Sequence, residues 1–145
     1  MSPNKKFDCE VFLCDYVDNK NIEGVKSCFA DDAVIYVNGD PPVNGKEGVQ
    51  MCCDGIMKMA KKVRHFDLRI IPGAKSNELV CHGSGEYDVE GTGKDIIFRR
   101  FCDVYTLTED GSKIQELYTC MDVTAFGGVK IQWMLGCSAC AQHLS

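Results

Sequence analysis

Tyr36 and Asn38 stand two residues apart in Ala-Val-Ile-Tyr-Val-Asn. On a strand, residues i and i+2 share a face, so a phenol and a carboxamide side by side offer donors and acceptors to one water. His65 precedes Phe66 and follows Lys61, Lys62 and Arg64. An imidazole titrates near neutral pH, so His65 is either a general acid–base or an edge histidine beside a basic helix end. His82, Ser84 and Glu86 share a strand face, but His82 and Glu86 are roughly 13 Å apart along it. Each would need partners on other strands, and Glu86 is otherwise a solvated residue. Alternation places Phe98, Arg100 and Cys102 on one face. Arg100 is then either buried and paired, with Glu86, Asp18 or a ligand carboxylate, or it reaches out from a dimer-facing surface.

Ten cysteines are present. Cys137 and Cys140, followed by His143, form a single C-x-x-C. A structural zinc site takes four ligands, usually from two such pairs, so neither metal nor cofactor is expected. The cysteines read as reduced thiols, which suits a cytoplasmic protein, and Cys9, Cys14 and Cys28 sit at helical apolar positions where they pack as small hydrophobes.

These side chains must be positioned by helices followed by long strands. Phe7, Val11, Phe12, Cys14 and Val17 have helical spacing over residues 7–19. Asn21 predicts the N-cap of a short helix with Ile22, Val25, Cys28 and Phe29 on its apolar stripe. Residues 33–37 predict a strand, 38–42 a loop, and 46–62 a third helix. Strands follow at 65–71, 78–89, 95–107 and 113–124, separated by Pro72-Gly73, Gly91-Thr92-Gly93 and Glu109-Asp110-Gly111. Residues 129–135, with the sole tryptophan Trp133, predict a further strand that extends the sheet or docks on a partner subunit. Segregated helices and an antiparallel sheet indicate an α+β fold, and a curved sheet wrapped around helices encloses a pocket.

The 145 residues are 45% hydrophobic and 26% charged, ordinary for a globular chain of one-domain size. No apolar run approaches the ~20 residues of a membrane helix, and MSPNKKFDCE lacks a signal-peptide stretch. The net charge of −5, without a Lys/Arg cluster, argues against nucleic acid. Neither membrane nor nucleic acid is an expected partner.

Phe29-Ala30-Asp31-Asp32-Ala33-Val34, Gly45 opening the next helix, and Gly111-Ser112-Lys113-Ile114-Gln115-Glu116 resemble the nuclear transport factor 2-like superfamily, in its SnoaL-like and limonene-1,2-epoxide hydrolase-like branches. The resemblance spans residues 7–124. It implies a cone: a curved mixed β-sheet wrapped around N-terminal helices, enclosing an apolar cavity. Residues 1–126 would form that domain, and 127–145 an extension made of an extra strand and a Cys-rich tail. The superfamily holds epoxide hydrolases, dehydratases, isomerases and cyclases, and also binding modules without catalysis.

Residues 35–45 look like the epoxide hydrolases, which implies that Tyr36 and Asn38 hold the attacking water while Glu86 or Asp18 accepts its proton. Asp18 and His65-Phe66 resemble the acid–base pair of scytalone dehydratase. That implies His65, backed by Asp18, moving a proton while Tyr36 and Arg100 polarise the oxygen. Asp18 is otherwise a helix-end or loop cap. The expectation is a cofactor-free acid–base enzyme acting on a small hydrophobic molecule, and the alternative is a non-catalytic carrier or interaction module. A homodimer through the sheet face is expected from the same resemblance.

Overall fold

A computed structural model describes residues 5–89 and 97–121 of the chain. A π-helix (Val11–Val17) is followed by α1 (Ile22–Ser27), β1 (Phe29–Val37), β2 (Val43–Asn44), α2 (Gly45–Met59), β3 (Ala60–Pro72), β4 (Glu78–Val89), β5 (Ile97–Leu107) and β6 (Ile114–Met121). Six strands form one sheet in the order β2-β1-β6-β5-β4-β3, with β1 and β6 parallel and every other neighbour antiparallel. The mixed α+β architecture with helices packed on one sheet face is the one expected. The strand expected over 129–135, Trp133, and the Cys137/Cys140/His143 cluster lie outside the described residues.

Two strand boundaries differ from the sequence reading, each for a tertiary reason. Ala60 to Lys62 belong to β3, although Ala and Lys favour helix, because they pair with Val89 and Asp88 of β4. Strand β1 starts at Phe29 rather than Ala33. Phe29 pairs with Ile114, and the register shift before Val34 accommodates Asp31 and Asp32, which are exposed and poor strand formers. The first helix is wound as a π-helix, with Asp18 N donating to Leu13 O at 2.9 Å. A π turn carries one more residue than an α turn and is frequent at functional sites.

Alternation along the strands divides the sheet. Ile35 and Val37, Phe101 and Asp103, and Leu117, Thr119 and Met121 all face inward. At one end the core closes through an aromatic cluster in which Phe7, Phe12 and Tyr105 lie 5.4–6.0 Å apart, with Tyr105 fully buried. Next to it, between the sheet, the π-helix and α2, a cavity of about 130 Å³ is left unfilled.

Candidate active site

Loop residues 18–20 leave the π-helix and are pinned to β3 at two points. Lys20 Nζ donates to Ala60 O, and Asp18 reaches His65. The Asn19 amide closes the helix end by donating to the carbonyls of Cys14 and Asp15. Asn21 then caps α1, its Oδ1 accepting from Gly24 N at 2.9 Å. The short connection is therefore held at each residue, and it delivers the Asp18 carboxylate to the sheet.

Both oxygens of Asp18 are used by one residue. Oδ2 accepts from His65 N at 2.8 Å, and Oδ1 lies 2.5 Å from His65 Nδ1. An ionised carboxylate only accepts, so Nδ1 carries the proton in this contact and Nε2 is the basic nitrogen of the neutral ring. The side chains are 8% and 14% exposed, which shields the pair from solvent screening. The ring packs edge-on against Phe101 at 5.0 Å and Tyr87 at 6.1 Å. His65 and Tyr87 both line the cavity.

A second carboxyl group lies in the same wall. Asp103 is buried among β5 residues that face inward and contributes to the cavity lining. Its Oδ2 accepts from Tyr105 Oη at 2.8 Å, while Oδ1 is buried without a hydrogen-bond partner among the described residues. Burial pushes its pKa above the ordinary carboxylate range. The hydroxyls of Thr119 and Tyr105 and the charge of His65 act against that rise without cancelling it. A carboxyl biased toward its neutral form can donate a hydrogen bond, and an unpartnered oxygen is costly unless a ligand completes it. The sequence reading missed Asp103. Its signal was available: Phe101, Asp103 and Tyr105 alternate, which puts an acid between two aromatics on one strand face.

The remaining cavity wall is apolar. Val17, Val49, Val63 and Leu117 line it, together with Cys52 and Cys53. Burial pushes the Cys52 thiol up to about 12 and the Cys53 thiol to about 11, so both stay protonated and serve as small apolar groups rather than nucleophiles. Among the described residues no three His, Cys, Asp or Glu side chains converge as a metal-ligand set.

Of the six residues singled out by sequence, the structure brings Asp18 and His65 together and leaves four elsewhere. Tyr36 sits between Ile35 and Val37, which face the cavity, so its own side chain projects from the outer face. There its ring stacks on Tyr118 with centroids 4.3 Å apart. Asn38 has φ of 51°, and its Oδ1 accepts from Met121 N at 2.8 Å while its own N donates to Thr119 O. It is a β1–β6 tie, because Asn tolerates the left-handed region and can hydrogen-bond backbone there. The shared face inferred for Tyr36 and Asn38 fails because the strand ends at Val37. Glu86 precedes the cavity-lining Tyr87 and therefore points the other way, where Arg64 Nη1 donates to its Oε2 at 3.4 Å. Arg100 precedes Phe101 and is exposed. The parity of β5 is set by Phe101, Asp103 and Tyr105, so the face shared by Arg100 and Cys102 is the outer one.

The sequence profile of the SnoaL-like domain matches residues 12–117, which is most of the chain and includes both carboxylates and His65. The chain belongs to the SnoaL-like family. Solved structures agree on the fold at low identity. A putative polyketide cyclase from Xanthomonas campestris is 9% identical with a TM-score of 0.64, covering 77% of this chain and 86% of that one. SalBIII, an epoxide hydrolase/cyclase-like enzyme in pyran ring formation in the polyether salinomycin, is 16% identical with a TM-score of 0.64, covering 80% and 88%. AusH from Aspergillus nidulans is 12% identical with a TM-score of 0.63, covering 82% and 88%. No curated protein matches this chain by sequence. These neighbours share the fold of the chain.

Proposed function

We propose that this SnoaL-like protein is a cofactor-free acid–base enzyme that moves a proton on a small hydrophobic carbonyl compound, in an isomerisation, cyclisation or dehydration. The observation that carries the reading is the histidine clamped by Asp18 at a cavity whose wall also holds a buried carboxyl with a vacant oxygen.

In this reading His65 Nε2 removes a proton from the carbon next to the carbonyl. Asp18 fixes the tautomer and stabilises the imidazolium that forms. Asp103, biased toward its neutral form, donates to the oxygen on which negative charge develops. The dry apolar wall strengthens both contacts, because water does not compete for them. The cavity of about 130 Å³ is comparable to an engineered void of roughly 150 Å³ that binds benzene, so the enclosed part of the substrate is about one ring in size. The water-holding arrangement implied by the epoxide hydrolases has no support here, because Tyr36 and Asn38 lie outside the cavity. Carriage of an apolar ligand is the second reading, favoured by a lining made mostly of Val, Phe, Leu and Cys side chains.

Deuterium wash-in separates the two. The protein is incubated in heavy water with a panel of single-ring ketones, and exchange next to the carbonyl is followed by NMR. Exchange that falls by about 100-fold or more in His65→Gln and Asp18→Asn, with ligand binding kept, supports the enzyme. Binding without wash-in for every panel member supports carriage.

A further inference from the structure

Tyr105 lies two residues from Asp103 on β5, so the two side chains share the inner face of the sheet. Tyr105 is fully buried, and the ring centroids of Phe7 and Phe12 lie 5.4 and 6.0 Å from its own, which fixes the ring. Its hydroxyl donates to Asp103 Oδ2 at 2.8 Å. Burial first, then the charge of Asp103, push the Tyr105 pKa well up, so the phenol keeps its proton and remains a donor. The Cys9 thiol meets the same phenol from the residues leading into the π-helix. Its hydrogen bond with Cys81, then burial, push it up, so it too stays protonated. A protonated thiol satisfies the phenol oxygen and leaves the phenol proton to Asp103.

One oxygen of Asp103 is thereby committed. A carboxyl oxygen that already accepts a hydrogen bond is the less basic of the two. The proton of the neutral acid therefore belongs on Oδ1, which has no hydrogen-bond partner among the described residues. The same bond from Tyr105 favours the ionised form of Asp103. What Tyr105 contributes is placement of the proton, not its retention.

We propose that Tyr105 is a positioning residue for the proton transfer, turning Asp103 so that its acidic hydrogen sits on Oδ1 and meets the developing charge of the substrate. The proposal rests on the acid–base reading of the cavity. It gives the reaction a pH profile with two named limbs. His65 must be neutral to take a proton, and Asp103 must be protonated to donate a hydrogen bond. The other titratable groups around Asp103 are Cys81 and Tyr87 of β4, Cys102 and Tyr105 of β5, and Cys9, with Asp18 behind His65.

The test follows deuterium wash-in of a single-ring ketone against pH, beside a carbon-13 titration of the Asp103 carboxyl assigned with Asp103→Asn. Tyr105→Phe should lower kcat by about 10-fold or more, with KM changed by less than about 3-fold. Loss of the donor should also carry the carboxyl midpoint and the basic limb of the profile together to higher pH. A residue that only filled space would move neither. A second comparison is independent of how well Tyr105→Phe folds. The phenol donates only to an oxygen, so it turns the amide of Asp103→Asn with the NH2 at the Oδ1 position. That variant should retain at least about 10-fold more wash-in than Asp103→Leu. The role of Tyr105 is overturned if Tyr105→Phe leaves kcat unchanged, or if kcat falls while the carboxyl midpoint and the basic limb stay in place. Equal losses in Asp103→Asn and Asp103→Leu overturn it as well. Absence of wash-in from the parent chain is a separate result, which removes the acid–base reading and this role with it.

Discussion

Asp103 is the residue on which acid–base asymmetry in the cavity rests, and it leaves a signature in stability. Burial raises its folded-state pKa, whereas in the unfolded chain it titrates near the ordinary aspartate value of about 3.9. Between those two values the folded state holds the proton and the unfolded state does not. Stability therefore falls as pH rises through that window, and below about pH 4 the contribution is fully present. Each unit of upward displacement corresponds to about 1.4 kcal/mol lost at high pH. Asp103→Asn keeps the shape, still accepts from Tyr105 and has no titrating group. The variant is expected to match the parent more closely below pH 4 and to gain on it steadily as pH rises. Thermal melts of both proteins across pH 3.5 to 8 measure the difference directly. A gap that is flat with pH would place Asp103 at its ordinary pKa and remove the basis for its role as donor.

At the scale of elements, the positions of His65 and Tyr87 depend on a residue with no side chain. Gly85 is the Cα partner of His65 across β3 and β4, and a Cβ there would run into the Tyr87 ring. Gly85→Ala should push that ring, which packs edge-on against His65, and reshape the cavity wall. Ring-sized ligands should bind at least about 10-fold more weakly, a change of about 1.4 kcal/mol. Titration calorimetry of the alanine variant checks this, and unchanged affinity would show that Tyr87 swings clear. This dependence also explains what could be read in advance. The helices, the Asn21 cap and the four long strands were legible, because local spacing and capping chemistry decide them. The Asp18–His65 contact spans 47 positions and came from a family resemblance rather than from spacing. Strand parity was the weak point. Alternation put Arg100 and Cys102 on one face but left open whether that face was buried or dimer-facing, and Phe101 and Tyr105 set the parity that turns it outward. Tyr36 turned on the same point: one residue of phase decides whether a phenol faces a cavity or stacks on Tyr118.

For the whole molecule, the cavity is a stability deficit kept in an otherwise packed core. Interiors are normally packed to near-crystalline density, and void surface forfeits dispersion contacts. Here the void lies where α2 crosses the sheet, with Val49 of α2 buried and Leu117 of β6 among the facing residues. A cavity retained for ligand should trade stability against binding, because its walls lack partners until something enters. Val49→Phe tests this trade. The larger ring has open volume to enter, so the substitution should raise stability by about 0.5–1 kcal/mol instead of incurring the usual overpacking cost. The same variant should lose binding of single-ring ligands and, on the enzymatic reading, deuterium wash-in as well. His65 and Asp18 stay untouched, so the loss would be one of space rather than of chemistry. Denaturant melts and the exchange assay, run on one preparation, report both sides. A Val49→Phe protein that is destabilised by more than about 1 kcal/mol would mean that α2 already seals against the sheet. The apolar chamber would then be too small for a substrate, and the acid–base groups around it would have nothing to act on.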